Sequence, residues 1–542
     1  MRIVAISGPV GTGKSTLARE LRGRFGTIHL RTQDLMATAA ERLGLPLPPD
    51  RRGLQELGDR LDAETAGQWV ADGVGEWAAG GGEGEMVIVD AVRIHQQVEQ
   101  LRQAFAPLVT HVHLSATRET LNERYTRRTA EGSSVVELGS YEEVAANATE
   151  SAIGTLHKEA DISIDTDRSS SDDVLTRVAA SLGLFASREH RLVDVLVGGQ
   201  YGSEGKGNVA FYLAQDYQVL VRVGGPNAGH KVPLATPYTH VLLPSGTMAN
   251  EQAHLVIGPG ATLDVRQLLQ EVADCNVERD RLSIDPQAMI IEQADIDAET
   301  VLVSGIGSTG KGGGAAAARR ITGRSAGGKS APVQLAGDVA ELQPFIKPTV
   351  EVLDEAFSAG KRVLLEGTQG TALSLFHGSY PHVTSRDTTT AGCLAEAGIA
   401  PHRVRKVIMV CRTYPIRVKD PEQGTSGPMS QDLSWEVIAE RSGVAIEELL
   451  KLEKGSRSGK QRRVAEFDWE LLRRAAEING ATDIALTFTD YISVDNRLAR
   501  RYEQLSAPTI QFVEEVERVA QVPVSLLATR FDVRGIIDRR RW

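Results

Sequence analysis

A chain of 542 residues is longer than one hydrophobic core sustains, so two or more domains are expected. Apolar residues at 41%, charged residues at 24% and aromatics at 5% exclude a disordered or fibrous protein. Sixty Lys+Arg against 71 Asp+Glu give a net charge of −11, which excludes broad binding to nucleic-acid backbones or anionic membranes; neither is an expected partner. Glycine is abundant, at 53 residues, and follows no collagen period. The three cysteines, Cys275, Cys393 and Cys411, show no CxxC spacing, so neither a disulfide framework nor a structural zinc site is expected. The opening run Met1 to Gly8 is too short for a signal peptide and reads as a buried strand. With no apolar stretch of the ~18 residues a spanning helix needs, a cytoplasmic setting is expected.

Strand-like runs at Ile3–Ser7, Met86–Val89, Thr110–Leu114 and Ile162–Ile164 alternate with helical patterns such as Ser15–Arg24. That alternation predicts an α/β fold with a parallel sheet. A polar stretch at Arg168, a helix from Val174 to Leu184 and a new strand, Val193–Val197, place a domain boundary near residue 190. The expected units are 1–188 and 191–542. A Gly/Ala/Lys/Arg stretch between about 305 and 330 has a linker-like composition.

The first glycine cluster, Gly8-Pro-Val-Gly-Thr-Gly13-Lys14-Ser15, follows a predicted strand and precedes a predicted helix. This is the phosphate-loop pattern: backbone N–H groups converge on a phosphate, Lys14 reaches its oxygens and the Ser15 hydroxyl binds Mg²⁺. Asp90, closing an apolar strand, is the expected second Mg²⁺ anchor. With Asp34 after the second strand and Arg124, Arg127 and Arg128 on a helix, residues 1–185 resemble the small-molecule and nucleotide kinases among P-loop proteins. The resemblance implies a phosphoryl acceptor near Asp34 and a lid of arginines.

The second cluster, Gly198-Gly-Gln200-Tyr-Gly202-Ser203-Glu204-Gly205-Lys206-Gly207, again joins a strand to a glycine turn, without phosphate-loop spacing. It resembles the G-Q-x-G-D-E-G-K-G signature of adenylosuccinate synthetases. Further elements of that family follow in order: Asn227-Ala-Gly229-His230, Gly307-Ser-Thr309-Gly-Lys311-Gly, Glu366-Gly-Thr-Gln369-Gly, Tyr380-Pro-His-Val-Thr384, Arg412-Thr-Tyr-Pro-Ile-Arg417 and Gly455-Ser456-Arg-Ser458-Gly-Lys460-Gln-Arg462. The resemblance spans 193–540. It implies a Mg²⁺-dependent ligase, a larger α/β domain after the P-loop domain, that phosphorylates a purine 6-oxygen and replaces it with the amine of aspartate.

By resemblance, Lys206 with the Gly202, Glu204, Gly205 and Gly207 backbone cradles the transferring phosphate. His230 stabilises its charge, and the Gly229 carbonyl holds Mg²⁺. Asn227, Thr309, Gln369 and Thr384 grip the purine monophosphate. Arg320, or Arg319, reaches it from a neighbouring subunit, which implies a homodimer. Ser456, Ser458, Lys460 and Arg462 close on aspartate, and Asp490 reads the base of the donor nucleotide.

Three departures stand out. Ser203 occupies the place of the family's catalytic aspartate, so a catalytic residue and metal ligand becomes a neutral hydroxyl. A shorter side chain there leaves room for a purine 2-amino group, as in dGMP or GMP, and phage-type synthetases of 2-aminoadenylosuccinate are similar in carrying serine. The donor-base element reads Thr487-Phe488-Thr489-Asp490 with Ala528-Thr529-Arg530, which puts GTP in doubt and admits ATP or dATP. Lys460 stands for an arginine, losing a bidentate fork. The sequence favours dGMP or GMP; an ordinary IMP-using synthetase and a silent purine sensor are the alternatives.

Overall fold

Five strands rich in Val and Ile open the fold: Arg2–Ser7, Ile28–Leu30, Met86–Val92, Val109–Ser115 and Ile162–Asp165. The computed structural model describes residues 1–81, 84–131, 140–185, 190–324, 333–422, 424–454 and 459–542. Contacts divide the chain into two units, Met1–Phe185 and Ala186–Trp542. In the first, all strand pairs are parallel, and Arg2–Ser7 sits at the centre between Met86–Val92 and Val109–Ser115. Ile3, Val4, Ala5 and Ile6 are fully buried because helices cover both sheet faces. The helix Lys14–Phe25 begins where the expected strand-to-helix turn lies, after Gly13 in a left-handed conformation.

Among the described residues of the second unit, nine strands form one sheet. Eight run parallel, and only the edge strand Ile536–Asp538 pairs antiparallel, with Val524–Ala528. Val193–Gly198, buried at every position, lies between Val363–Glu366 and Val404–Arg412. Two apolar cores flank the sheet, one built on Val195, Val221 and Leu365, the other on Leu196, Leu220 and Leu364. Alternate residues of the same strands thus serve opposite faces. The linker-like stretch carries a helix, Gly313–Thr322, so it is not a linker there. No helix among the described residues is long and apolar enough to cross a membrane.

The parallel arrangement brings the carboxyl ends of the central strands together, and ligands of open α/β sheets bind beyond that edge. Here the chain turns at Gly202 and Gly205, both with positive φ, into the helix Lys206–Leu213. The first turn of this helix packs so tightly that a Cβ on Gly207 would lie 2.8 Å from the Lys231 carbonyl and 2.9 Å from the His230 Cβ. A Gly207→Ala substitution is expected to destabilise the second unit by about 1–3 kcal/mol and to displace His230. Urea unfolding beside Gly23→Ala, where a Cβ meets nothing within 4 Å, checks this; equal stability of both variants would refute it.

Candidate active site

The signature turn is shaped from beneath. Glu204, fully buried, accepts the backbone N–H of Gln200 at 3.1 Å and of Gly202 at 2.7 Å, and its other oxygen accepts from Lys206 Nζ at 2.6 Å. A buried lysine needs such a partner, and the same carboxylate bends the turn around it. Ser203 caps the turn with φ of 57°, a left-handed conformation that β-carbon sterics disfavour, and its side chain is exposed.

Above the turn opens a cavity of about 420 Å³ lined by Gly202, Ser203, Lys206, Asn227, Gly229, His230, Thr309, Gln369, Thr384, Lys460 and Arg462. These residues come from segments up to 260 positions apart in sequence, yet the sequence motifs converge on one hollow. Lys311, Arg417 and Lys419 add positive charge, while Asp420 is the one carboxylate among the described lining residues. Asp420 is occupied by Ser426 and Arg463. Two amide oxygens in the cavity wall, Asn227 Oδ1 and Gln369 Oε1, are buried without a hydrogen-bond partner, although Gln369 Nε2 donates to Thr384 Oγ1 at 2.7 Å. Buried acceptors left this way are costly and mark places for ligand N–H groups.

His230 is held by Glu366, which opens one of the sequence motifs without a role assigned there, and by Arg222 and Ser245, which lie in none of them. Its Nδ1 lies 2.5 Å from Glu366 Oε1 and 2.7 Å from Arg222 Nη1, while the Ser245 N–H donates to the other Glu366 oxygen at 2.7 Å. Arg222 and the Ser245 hydroxyl also bond Glu366. Burial, then the Arg222 charge, pushes the imidazole down to about 3. Burial acts to raise Glu366, but Arg222 and His230 outweigh it and hold the carboxyl at about 2. The site therefore presents a neutral imidazole anchored by an ionised carboxylate. The one sequence signal for Arg222 is a charge closing the apolar strand Val219–Arg222.

Other expected residues lie elsewhere. The backbone N–H groups of Gly312, Gly314 and Ala315, at the start of the helix Gly313–Thr322, are taken by Glu299 at 2.6 to 3.1 Å. Arg320 donates to the Gln287 carbonyl and Arg319 pairs with Asp295, and neither lines the cavity. Asp490 is buried and not among the lining residues, accepts from Arg497 Nε at 3.0 Å, and is raised to about 6 by burial against the opposing Arg497. Ser456 and Ser458 lie outside the described residues.

In the first unit, Gly8, Gly11 and Gly13 all have positive φ, and a Cβ on Gly8 would fall 2.1 Å from the Leu114 carbonyl. Lys14 Nζ donates to the Gly8 and Pro9 carbonyls at 2.6 and 2.9 Å, and burial lowers it to about 8. Ser15 Oγ donates to Asp90 Oδ2 at 3.3 Å, joining the two expected metal anchors. Arg124 is tied to Thr166 and the Gly11 carbonyl, packing beside the loop, and Asp34 pairs with Arg31 at the surface.

The cations and the orphaned amide oxygens of the second unit address the same kind of ligand, an anion carrying a ring with N–H groups. Fold and site together thus define an α/β enzyme that handles nucleotides. Residues 195–328 and 333–499 match the family model of adenylosuccinate synthetase, and residues 4–143 match that of an AAA domain. The adenylosuccinate synthetases of Pyrococcus horikoshii and Methanocaldococcus jannaschii are 36% and 37% identical over 356 residues, covering 64% of this chain and 98% and 96% of theirs. The succinoaminodeoxyadenylate synthetase (PurZ) of cyanophage S-2L, solved bound to dGMP and dATP, superposes with a TM-score of 0.55 at 26% identity, over 65% of this chain and 96% of that one. The adenylosuccinate synthetase of Plasmodium falciparum shares the fold, with a TM-score of 0.56 at 19% identity over 65% of this chain and all of its own. The chain belongs to the adenylosuccinate synthetase family. Its second unit is a C–N ligase of that type, preceded by a P-loop unit.

The lowered imidazole has a measurable consequence. Between pH 6.5 and about 3 the unfolded chain protonates His230 while the folded one does not, so stability falls as pH drops through that window. Going from pH 7 to pH 5 should destabilise the wild type by about 2 kcal/mol more than a His230→Gln variant. Urea unfolding at both pH values reads this, and parallel losses would exclude a buried neutral imidazole.

Proposed function

We propose that the second unit joins L-aspartate to C6 of dGMP or GMP, forming a 2-aminoadenylosuccinate-type product. A nucleoside triphosphate first transfers its terminal phosphoryl group to the purine 6-oxygen and leaves as the diphosphate, while the N1 proton passes to solvent. The amine of aspartate then adds at C6 and phosphate departs. Lys206 and the turn backbone receive the transferring phosphoryl group, and His230, kept neutral and aimed by Glu366, hydrogen-bonds to it. Arg462 and Lys460 receive the carboxylates of aspartate.

The observation that carries the choice of purine is Ser203. A small hydroxyl at the cavity edge leaves space beside a 2-amino group. The unpartnered oxygens of Asn227 and Gln369 suit a ring rich in N–H donors. That the similar cyanophage enzyme was solved with dGMP and dATP supports the same reading. For the donor, Asp490 is paired with Arg497, and with Phe488 and Ala528-Thr529-Arg530 departing from the family's base-reading elements the reading admits ATP or dATP beside GTP. Ser203 and Gly229, which line the same cavity, carry a hydroxyl and a carbonyl of the hard-oxygen kind that Mg²⁺ takes, and the ion would neutralise triphosphate charge when bound. The reading includes a cytoplasmic homodimer in which Arg320 serves the neighbouring site.

Incubation of the purified chain with aspartate, Mg²⁺, ATP or GTP, and each of IMP, GMP and dGMP is expected to yield a succinyl adduct with dGMP or GMP, detected by mass spectrometry. Ser203→Asp should shift preference toward IMP by tenfold or more in kcat/KM, ~1.4 kcal/mol. Adduct with IMP alone would overturn the choice of purine, and no adduct at all would favour a silent sensor.

For the first unit we propose phosphoryl transfer to a nucleoside or nucleotide, with Ser15 and Asp90 as the metal anchors. Replacing Lys14 by Met should abolish transfer from γ-labelled ATP to a nucleoside and nucleotide panel while adduct formation persists. Unchanged transfer would remove the phosphate loop from the reaction.

A further inference from the structure

Arg93 and Glu150 are two charges of the first unit that the phosphate loop and its metal anchors leave unused. Their side chains are only 11% and 9% exposed, and Arg93 Nε lies 3.4 Å from Glu150 Oε1. Arg93 Nε nevertheless has no hydrogen-bond partner, and among the described residues the Glu150 carboxylate accepts no hydrogen bond. A closed ion pair donates at about 2.8 Å, so this one is held just short of closing. Both members are fixed from outside. The Arg93 N–H donates to Gln97 Oε1 at 2.7 Å and its Nη2 to Asn147 Oδ1 at 3.4 Å. The same Asn147 oxygen accepts the Glu150 N–H at 3.0 Å, and Asp59 takes the Asn147 amide at 2.8 Å and the Thr149 hydroxyl at 2.7 Å. The guanidinium fits because Gly58 has no side chain: a Cβ there would lie 2.9 Å from Nη1.

The pair sits beside the phosphate loop. Burial lowers Lys14, and the charges that oppose this are first Glu150 and then Asp90, while Arg51 and Arg93 add to the lowering. Tyr141, raised by burial and then by the Glu150 charge, packs with Val10 of the loop itself. Asp34, the acid that follows the second strand in sequence, is instead exposed and bonded twice by Arg31, at 2.8 and 2.7 Å. A ligand group that completes the open pair must accept from Arg93 and donate to Glu150. A hydroxyl does both, and its oxygen can lie about 2.8 Å from each of two atoms 3.4 Å apart. A phosphate monoester only accepts, and its charge would meet the carboxylates of Glu150 and of Asp59, whose Oδ1 stands 3.8 Å from Arg93 Nη2.

We propose that Glu150 is the catalytic base of the first unit and that Arg93 holds its acceptor, a neutral alcohol, namely the 5′-hydroxyl of a nucleoside. The hydroxyl oxygen attacks the γ-phosphorus of the triphosphate. A new O–P bond forms as the bond from that phosphorus to the β,γ-bridging oxygen breaks, and the diphosphate leaves with the bridging electron pair. The hydroxyl proton passes to Glu150 and from there to water. Because phosphoryl transfer runs through a loose transition state, a carboxylate is base enough for this step. Among alcohols, a nucleoside is favoured by the rest of the chain: its product is a nucleoside monophosphate, the class of substrate that the second unit consumes in the ligase reading. The two units would then act in sequence, the first supplying what the second takes. The proposal rests on the reading of the first unit as a phosphoryl transferase and adds its acceptor and its base.

The test offers the full chain, with Mg²⁺ and γ-labelled ATP, a panel of ribo- and deoxynucleosides, their 5′-monophosphates, and free ribose and deoxyribose. Label should pass to nucleosides about tenfold faster, or more, than to the other two classes. Glu150→Gln should lower kcat for the nucleoside by about 10²- to 10⁴-fold, the usual weight of a positioned base, while KM holds. Arg93→Gln should raise KM as well, and Glu150→Asp, a carboxylate on a shorter arm, should recover part of the rate. In a coupled arm, deoxyguanosine with ATP and aspartate should yield the succinyl adduct in wild type, whereas Glu150→Gln should yield it from dGMP alone. A Glu150→Gln variant with wild-type kcat, or transfer confined to monophosphates or to sugars, overturns the proposal and leaves phosphoryl transfer standing. A purely structural pair would give Asp no advantage over Gln at position 150, and that result also overturns it. If Glu150→Gln fails to fold, the wild-type panel and the Glu150→Asp and Arg93→Gln variants decide by the same split of kcat against KM. Wild type that labels no acceptor removes the phosphoryl-transfer reading along with the proposal.

Discussion

Burial of Lys206 beside Glu204 is the constraint from which the rest of the ligase site follows. An ammonium group taken out of water at the head of a helix is strongly unfavourable unless a carboxylate accompanies it. Glu204 meets that need, and with its second oxygen it gathers two backbone N–H groups of the same turn. One side chain thus sets both the charge and the curvature of the cradle. The turn could not follow this path with bulkier residues at Gly202 and Gly205, whose positive φ angles let the backbone double back before the helix begins. The strand Val193–Gly198, buried at every position, keeps this assembly rigid at the sheet's carboxyl edge.

The same logic recurs one layer out. Glu366 unites Arg222, His230 and Ser245, and Glu453 unites Arg412, Arg462 and Tyr491. Each is a buried carboxylate that joins segments far apart in the chain. Removal of one such group strands cations in a medium of low dielectric, so these positions resist change more than the exposed Ser203 does. This division explains how the serine can differ from the family pattern while the frame around it stays intact.

Much of this architecture is legible in the amino-acid sequence. The glycine turns and the strand beginning at Val193 announce themselves through local pattern, because a strand, a turn and a helix start are written in neighbouring residues, whereas the cavity residues Lys206, Asn227, His230, Gln369 and Thr384 are reached through the resemblance to the synthetase family. The parallel sheets follow from the alternation of strands and helices. What the sequence hides depends on contacts across the fold: Arg222 meets Glu366 across 144 positions and Ser245 meets it across 121. A lone arginine closing a strand looks the same in sequence whether it faces water or a buried acid. Arg124 is a similar case, for its place on a charged helix does not reveal that Thr166 and the Gly11 carbonyl hold it beside the phosphate loop.

The carboxylate of Glu299 has a consequence for how the site meets its substrate. Helix starts attract phosphates because their N–H groups lack partners, but at the helix Gly313–Thr322 those groups already serve a resident anion. The protein thereby carries a stand-in for the ligand it resembles. A phosphate arriving at this helix end would gain little from it while Glu299 holds those N–H groups. Any anion binding at this corner would compete with Glu299 for the same three N–H groups, so the helix start would contribute an exchange of one anion for another rather than a new set of bonds.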